Sequence, residues 1–107
     1  MGKALFDKIW DEHVVHRFPD GTELLYIDRH LMHEATSAQP FAGLRQLGRA
    51  VWRPAANFAV PDHSVPTMCR DEPIADPVAR LQVEVLADNR RAFDVPGFDL
   101  HDVGQGI

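Results

Sequence analysis

The sequence predicts an α/β domain, because short segments with strand character alternate with segments of helical periodicity. Four consecutive apolar residues, 24–27, follow a turn at 19–22 and predict a strand buried on both faces. Asp76 and Pro77 form a favourable start for a helix, since aspartate caps free N–H groups and proline suits the first helical position. We expect these elements to pack as layers within one unit, residues 1–107.

Two more helices are predicted in the first half of the chain. Residues 4–13 place apolar side chains at helical spacing, with acids and a lysine on the opposite side. The second helix is predicted to open at Thr36 or Ser37, either of which can cap it, with Pro40 in its first turn. Gly48 suits the position just after that helix, where a positive φ is common.

The second half adds strands at 57–60 and 98–100 and the helix that begins at Pro77. Its apolar stripe consists of Val78, Leu81, Val85 and Ala92. The sequence then stops in an apolar stretch, 104–107, with no closing helix, so we expect an incomplete domain. The stripe should therefore stay partly uncovered, which favours marginal stability and self-association.

Composition excludes several classes of protein. The chain has 11 Lys and Arg against 16 Asp and Glu, a net charge of −5, which argues against binding DNA or other nucleic acids. No apolar run approaches the roughly 20 residues that span a bilayer, so no membrane partner is expected. Asp7 comes too early for a secretory signal, and the single cysteine, Cys69, excludes an internal disulfide. We expect a cytoplasmic protein.

Histidines and carboxylates form two constellations. His30 and His33, with Asp28 and Glu34 nearby, have a spacing that a zinc site on a helix could use, although a charged loop is the simpler interpretation. Asp62 directly precedes His63. A carboxylate beside an imidazole orients the ring and raises its basicity, which suits general acid–base catalysis. A surface Asp-His dipeptide is the alternative.

Two further residues have weaker signals. Gln39, expected in the first turn of the second helix, could hydrogen-bond an anionic ligand beside free N–H groups, or be an ordinary helix residue. Cys69 has no second thiol in the chain and is expected to be an inert thiol rather than a nucleophile.

Longer strings add a resemblance. The segments at 5–15 (LFDKIWDEHVV), 24–34 (LLYIDRHLMHE), 36–41 (TSAQPF) and 61–67 (PDHSVPT) are similar to the beginning of the large subunits of 3-isopropylmalate dehydratases, in the aconitase family. The likeness covers essentially the whole chain in one order. It implies a partial three-layer α/β/α domain, with residues 1–107 forming an incomplete aconitase-like N-terminal domain.

The resemblance also implies an activity. These enzymes are hydro-lyases that interconvert 2- and 3-isopropylmalate by dehydration and rehydration in leucine biosynthesis. Gln39 matches the substrate-binding glutamine, and Asp62 and His63 match the catalytic pair beside the leaving hydroxyl. His63 is then the proton donor or hydrogen-bond partner, and Asp62 orients it or contacts water bound to the cluster. The implied cofactor is a [4Fe–4S] cluster held by three cysteines, and the implied partner is the small subunit of the enzyme.

The chain departs from the family pattern where the cluster is concerned. The cluster cysteines are absent from its residues, so we expect no metal ligands, no bound cluster and no activity in the chain alone. The first hypothesis is therefore an N-terminal fragment of the large subunit. A second is an interaction module of a split enzyme that docks on a cluster-bearing chain. A third is a metal-binding protein that uses His30 and His33.

Overall fold

The mixed α/β class is confirmed. A computed structural model describes residues 2–106, which form three α-helices, four short β-strands and one 3-10 turn. The helices are α1 (Leu5–His13), α2 (Glu34–Gln46) and α3 (Pro77–Ala92). The strands are β1 (Val14–Arg17), β2 (Glu23–Leu25), β3 (His30–Met32) and β4 (Asn57–Ala59), and the 3-10 turn is Pro54–Ala56.

The first sheet is an exposed hairpin. Strands β1 and β2 pair antiparallel around the predicted turn, where Gly21 has φ of +87°. Leu24 and Ile27 are 53% and 65% exposed, so the expectation of a strand buried on both faces is wrong. The physical reason is that β2 belongs to a two-stranded ribbon, and a ribbon of this kind has too little surface around it to enclose either face.

The second sheet is parallel and carries the core. Strand β3 pairs with β4, and the N–H of Ala59 extends the pairing by donating to the carbonyl of Pro96 at 2.9 Å. The predicted strand at 98–100 is wrong, because the only bridge in this segment is a single one between Ala59 and Gly97. A Cβ at Gly97 would overlap the carbonyl oxygen of Ala59, so this approach requires glycine.

Helices α2 and α3 pack against each other, and the core lies where they meet β4. Its buried side chains are Phe41, Ala59, Leu86 and Val95. The predicted stripe of α3 lies largely outside this core: Val78 and Leu81 are exposed, and the helix buries Leu86 and Asn89 instead. The expected uncovered apolar surface is thus confirmed for these two residues.

The helix boundaries follow local capping signals in two cases and depart from them in one. Asp76 caps α3 as predicted, since its Oδ1 accepts from the N–H of Ala79 at 2.8 Å. Gly48 ends α2 with φ of +61°, also as predicted. The predicted start of α2 at Thr36 or Ser37 is wrong, because the helix begins at Glu34 and Pro40 lies inside it.

The described residues have an open shape. The radius of gyration is 17.4 Å, whereas a compact domain of this length has one of about 13 Å. The accessible surface is 8052 Å², against about 6,000 Å² for a folded protein of this mass. No helix within residues 2–106 has both the length and the apolar character to cross a membrane.

Candidate active site

The candidate site forms where the two parallel strands end. After β3 the chain continues through His33 into α2, and after β4 it continues through Pro61 to Asp62 and His63. The N–H of Val60 donates to the carbonyl of Met32 at 3.0 Å, which keeps the two segments together beyond the strands. The carboxyl ends of adjacent parallel strands meet at one edge of a sheet, so residues from distant parts of the chain converge there.

Asp62 and His63 form a close acid–base pair. Nδ1 of His63 lies 2.5 Å from Oδ1 of Asp62, and the imidazole is 57% exposed while the carboxylate is half-buried. This hydrogen bond raises the pKa of His63 above its ordinary value; desolvation opposes it, and the negative charges of Asp62 and Glu34 add smaller contributions in the same direction as the hydrogen bond. When Nδ1–H donates a hydrogen bond to the carboxylate, Nε2 of this exposed ring is the nitrogen left for a ligand or a proton.

His33 completes a cluster that the sequence did not reveal. Its ring stacks on the ring of His63, with centroids 3.8 Å apart and an angle of 9° between the planes. Its Nδ1 accepts from the N–H of Ala35 at 3.2 Å, so this side chain is the N-cap of α2. The same nitrogen lies 4.0 Å from Oδ1 of Asp62. Two imidazoles and one carboxylate therefore share one small volume.

The buried carboxylate of Glu34 binds the backbone of the loop that carries Asp62 and His63. Glu34 is only 2% exposed, and its carboxylate accepts from the backbone N–H groups of Asp62, at 3.0 Å, and Ser64. A buried carboxylate needs such donors, because water cannot solvate it. Glu34 thereby fixes the loop that carries Asp62 and His63 to the start of α2.

Neighbouring side chains tie this loop to the rest of the molecule. The hydroxyl of Ser64 donates to Oε1 of Gln82 on α3 at 2.6 Å. From the last residues of the chain, Nε2 of Gln105 donates to the carbonyl of Pro61 at 2.7 Å. The loop is held from three sides, so the Asp62–His63 pair has a defined place rather than lying in a free surface segment.

The predicted substrate-binding residue lies elsewhere. Gln39 is exposed in the second turn of α2, because the helix begins at Glu34 rather than near Ser37. It is thus away from the free N–H groups at the helix start, and the expectation of a first-turn position is wrong. Its role in substrate binding stays a prediction.

His30 and Cys69, the remaining candidates from the sequence, lie outside the cluster. His30 lies on β3, not on a helix, and its Nδ1 lies 3.2 Å from Oδ1 of Asn57. Within residues 2–106, the group whose ligand atoms lie near enough for a metal is His33, Asp62 and His63, so the pairing of His30 with His33 is wrong. Cys69 is exposed with φ of +51°.

Sequence reasoning grouped His33 and Glu34 with His30 and missed their contacts with the loop that carries Asp62 and His63. The signal was present: both stand between a strand and a helix, the position where functional side chains gather in α/β proteins. The late placement of the α2 start concealed it, because His33 and Glu34 then appeared to lie in a connecting loop.

Comparison with known families settles the ancestry of this arrangement. The sequence model of the Aconitase family (aconitate hydratase) matches residues 7–107. The chain belongs to the aconitase family. No solved structure matches it significantly.

Aconitase-family enzymes are hydro-lyases that generally bind a [4Fe–4S] cluster, which raises the question of whether this chain fits one. Such clusters are held by cysteine thiolates. The 107 residues contain one cysteine, Cys69. It is exposed and is not part of the His33–Asp62–His63 cluster. The residues of this chain therefore do not form the ligand set for that cofactor.

Proposed function

We propose that this chain is the N-terminal part of the large subunit of a 3-isopropylmalate dehydratase, a hydro-lyase acting in cytoplasmic leucine biosynthesis. The observation that carries the proposal is the 2.5 Å contact between Asp62 and His63 at the carboxyl edge of the parallel sheet. The strings at 24–34 and 61–67 support the choice of substrate, and residues 1–107 are then the incomplete N-terminal domain.

The chemistry follows from the pair itself. Dehydration of a hydroxy acid removes a hydroxyl group and a proton from adjacent carbons; the leaving hydroxyl takes a proton, which an exposed imidazolium can donate, and a separate base takes the proton from carbon. Asp62 stabilises that imidazolium and fixes the tautomer of the ring. His63 is therefore the proposed acid and Asp62 its orienting partner, with Glu34 holding the loop through two backbone N–H groups. In the reverse direction, His63 takes the proton back when water adds.

Substrate and partners complete the proposal. 2- and 3-isopropylmalate are the proposed substrates, Gln39 the proposed contact to a substrate carboxylate, and the small subunit of the enzyme the proposed protein partner. Because one cysteine cannot supply the cluster, we expect the isolated chain to have no activity of its own.

The test uses the gene in its source organism. His63→Ala and Asp62→Asn are introduced separately at the chromosomal gene, with His30→Ala as the matched control because His30 lies outside the cluster. Anaerobic extracts are assayed with 3-isopropylmalate, citraconate and cis-aconitate. We expect His63→Ala to lower isopropylmalate dehydration by about 10²- to 10⁴-fold, the usual contribution of a general acid.

The outcomes of that test distinguish an error in the proposed substrate from an error in the proposed role of Asp62 and His63. Loss of isopropylmalate turnover in both variants, with the control unchanged, supports the proposal. Loss confined to cis-aconitate or citraconate keeps a hydro-lyase and overturns the substrate. Unchanged turnover of all three substrates overturns the role of the pair.

A second candidate function is an interaction module of a split enzyme. The observation that favours it is the accessible surface of 8052 Å², about a third more than the roughly 6,000 Å² expected for this mass. A chain with so much surface gains stability when a partner covers it. An affinity-tagged copy isolated from the source organism should then retain a cysteine-bearing polypeptide, whereas a monomer in the extract would count against this candidate.

A further inference from the structure

The His33–Asp62–His63 cluster has a property that proton transfer does not use. The ligand atoms of the three side chains lie within 4.8 Å of one another. Proton transfer to a leaving hydroxyl requires Asp62 and His63, but it gives no role to a second imidazole stacked at 3.8 Å on the first. Capping of α2 accounts for the position of His33, but its stacking on the ring of His63 is explained by neither capping nor proton transfer.

Electrostatics at the cluster favour a cation. Asp62 and the buried Glu34 bring two carboxylates to the loop, and Glu34 is only 2% exposed. Within residues 2–106, no hydrogen bond or ion pair of the three cluster residues involves a lysine or an arginine. Neutral imidazoles add lone pairs without adding positive charge.

The surroundings also leave the cluster accessible and oriented. The side chains of His33 and Asp62 are about a quarter exposed and that of His63 more than half, so an ion reaches them from solvent. Nδ1 of His33 accepts from the N–H of Ala35, so the neutral ring carries its proton on Nε2, and Nδ1 must release this hydrogen bond when it binds an ion. Histidine ligands in metal sites donate their other ring N–H to an acceptor, and Nε2–H of His33 is the group that can do so when Nδ1 binds the ion.

We propose that His33, Asp62 and His63 bind one divalent cation of the zinc class, with a fourth position open to water. Two imidazoles and a carboxylate are a recurrent ligand set for zinc, and three protein ligands plus water are typical of sites that keep an open position. Calcium and magnesium take oxygen ligands, so imidazole selects against them.

Binding requires a small rearrangement. Two ligands of a tetrahedral zinc ion lie roughly 3.4 Å apart at bond lengths of about 2.1 Å, so atoms up to 4.8 Å apart must approach one another. The rings must also turn out of their parallel stack, since parallel lone pairs do not meet at one point. The exposed ring of His63 does so with little loss of packing.

This inference goes beyond the proposed hydro-lyase, because the ion is bound by residues of this chain alone. It has one consequence for that activity. An ion on His63 occupies the nitrogen lone pair of the proposed acid, so zinc and proton transfer exclude each other at this residue.

The experiment is a calorimetric titration of the 107-residue chain with ZnCl₂ at neutral pH in a buffer that does not bind metal. We expect one ion per chain, and a loss of affinity of more than tenfold in His33→Ala and in His63→Ala. His30→Ala is the matched control, since His30 lies in the same segment and outside the cluster, and it should bind as the parent does. Circular dichroism of each variant verifies that the helices remain.

Co²⁺ provides the second readout. Its visible spectrum distinguishes tetrahedral from octahedral sites, and we expect the tetrahedral form in the parent and its loss in His63→Ala. His63 is exposed, so its removal tests binding without unfolding the chain. Absence of heat and of a cobalt spectrum in the folded parent overturns the inference, as does equal loss in His30→Ala. Because neither readout needs substrate, failure here leaves the hydro-lyase proposal to its own test.

Discussion

Asp62 and Glu34 act on the same loop in different ways. Asp62 acts by charge on an exposed ring, whereas Glu34 acts by accepting backbone N–H groups where water does not reach. Hydrogen bonds to a buried carboxylate contribute more to stability than exposed ion pairs do, because the unpaired charge is costly to bury. Substitution of Asp62 should therefore change mainly the pKa of His63, whereas substitution of Glu34 should change mainly the free energy of unfolding.

The first prediction concerns the titration of His63. Its folded-state pKa lies above the ordinary 6.5 because of the hydrogen bond to Asp62. Protonation thus favours the folded chain, a contribution fully present below pH 6.5 and lost as pH rises through the raised pKa. Asp62→Asn should lower the pKa of His63, as followed by NMR of the imidazole. Asp71→Asn, at an exposed carboxylate, is the control, and an unchanged pKa in Asp62→Asn would contradict the assignment.

The second prediction concerns Glu34. Glu34→Gln replaces one acceptor oxygen by an NH₂ group, which leaves the N–H of Asp62 or Ser64 unsatisfied. We expect the free energy of unfolding to fall by about 1–3 kcal/mol, as measured in urea. Glu84→Gln on the exposed side of α3 should change it by less than about 0.5 kcal/mol. Equal effects of the two substitutions would mean that the loop does not depend on Glu34.

At the scale of the elements, the parallel sheet depends on a close backbone approach. Gly97 lies against Ala59, with the N–H of Phe98 donating to the carbonyl of Ala59 at 3.0 Å. A side chain at 97 would separate the segment from β4 and loosen the core around Val95. Gly43, inside α2, is the opposite case, since no atom lies near the position of a Cβ there.

These two glycines form a matched pair for a third prediction. Gly97→Ala should lower the free energy of unfolding by about 1–3 kcal/mol, because the added methyl group displaces backbone. Gly43→Ala should raise it by up to about 1 kcal/mol through helix propensity. Thermal unfolding of both variants checks the signs, and a stabilising Gly97→Ala would show that the bridge to Ala59 does not form in solution.

At the scale of the whole molecule, apolar surface outweighs the small core. Helix α1 buries no residue, and Leu5 and Phe6 are 72% and 67% exposed. Phe6 lines a cavity together with Leu25 of β2 and Ile27, and Val78 and Leu81 add a second exposed patch on α3. Surface of this kind associates with other apolar surface. The extended shape and the small core have the same cause: α1 and the β1–β2 hairpin pack little of their apolar surface against the rest of the described residues.

The fourth prediction is concentration-dependent self-association of the isolated chain. Phe6→Glu should weaken it by at least about tenfold, since burial of a phenylalanine contributes about 1.5–3 kcal/mol. Sedimentation velocity over a range of concentrations measures it. Val103→Glu is the control, because Val103 is fully exposed and belongs to neither patch as defined above. A monomer at all concentrations would contradict the prediction.

Local signals determined several features from the sequence alone. The Asp76–Pro77 start of α3, the positive φ of Gly48 and the turn around Gly21 were predictable, because each depends on the backbone preferences of one or two residues. The Asp62–His63 pair was predictable as a candidate as well, since adjacent side chains can reach each other where the chain is neither helix nor strand. Membership of the aconitase family was also visible in the sequence, in strings that cover the whole chain.

The tertiary structure alone decided which residues join that pair. His33 and Glu34 lie 28 to 30 residues from the groups they contact, and only the parallel pairing of β3 with β4 brings them together. The same holds for burial: four apolar residues in a row gave no indication that β2 would lie in an open hairpin. Periodicity describes which residues share a face, but whether another element covers that face depends on contacts distant in the sequence.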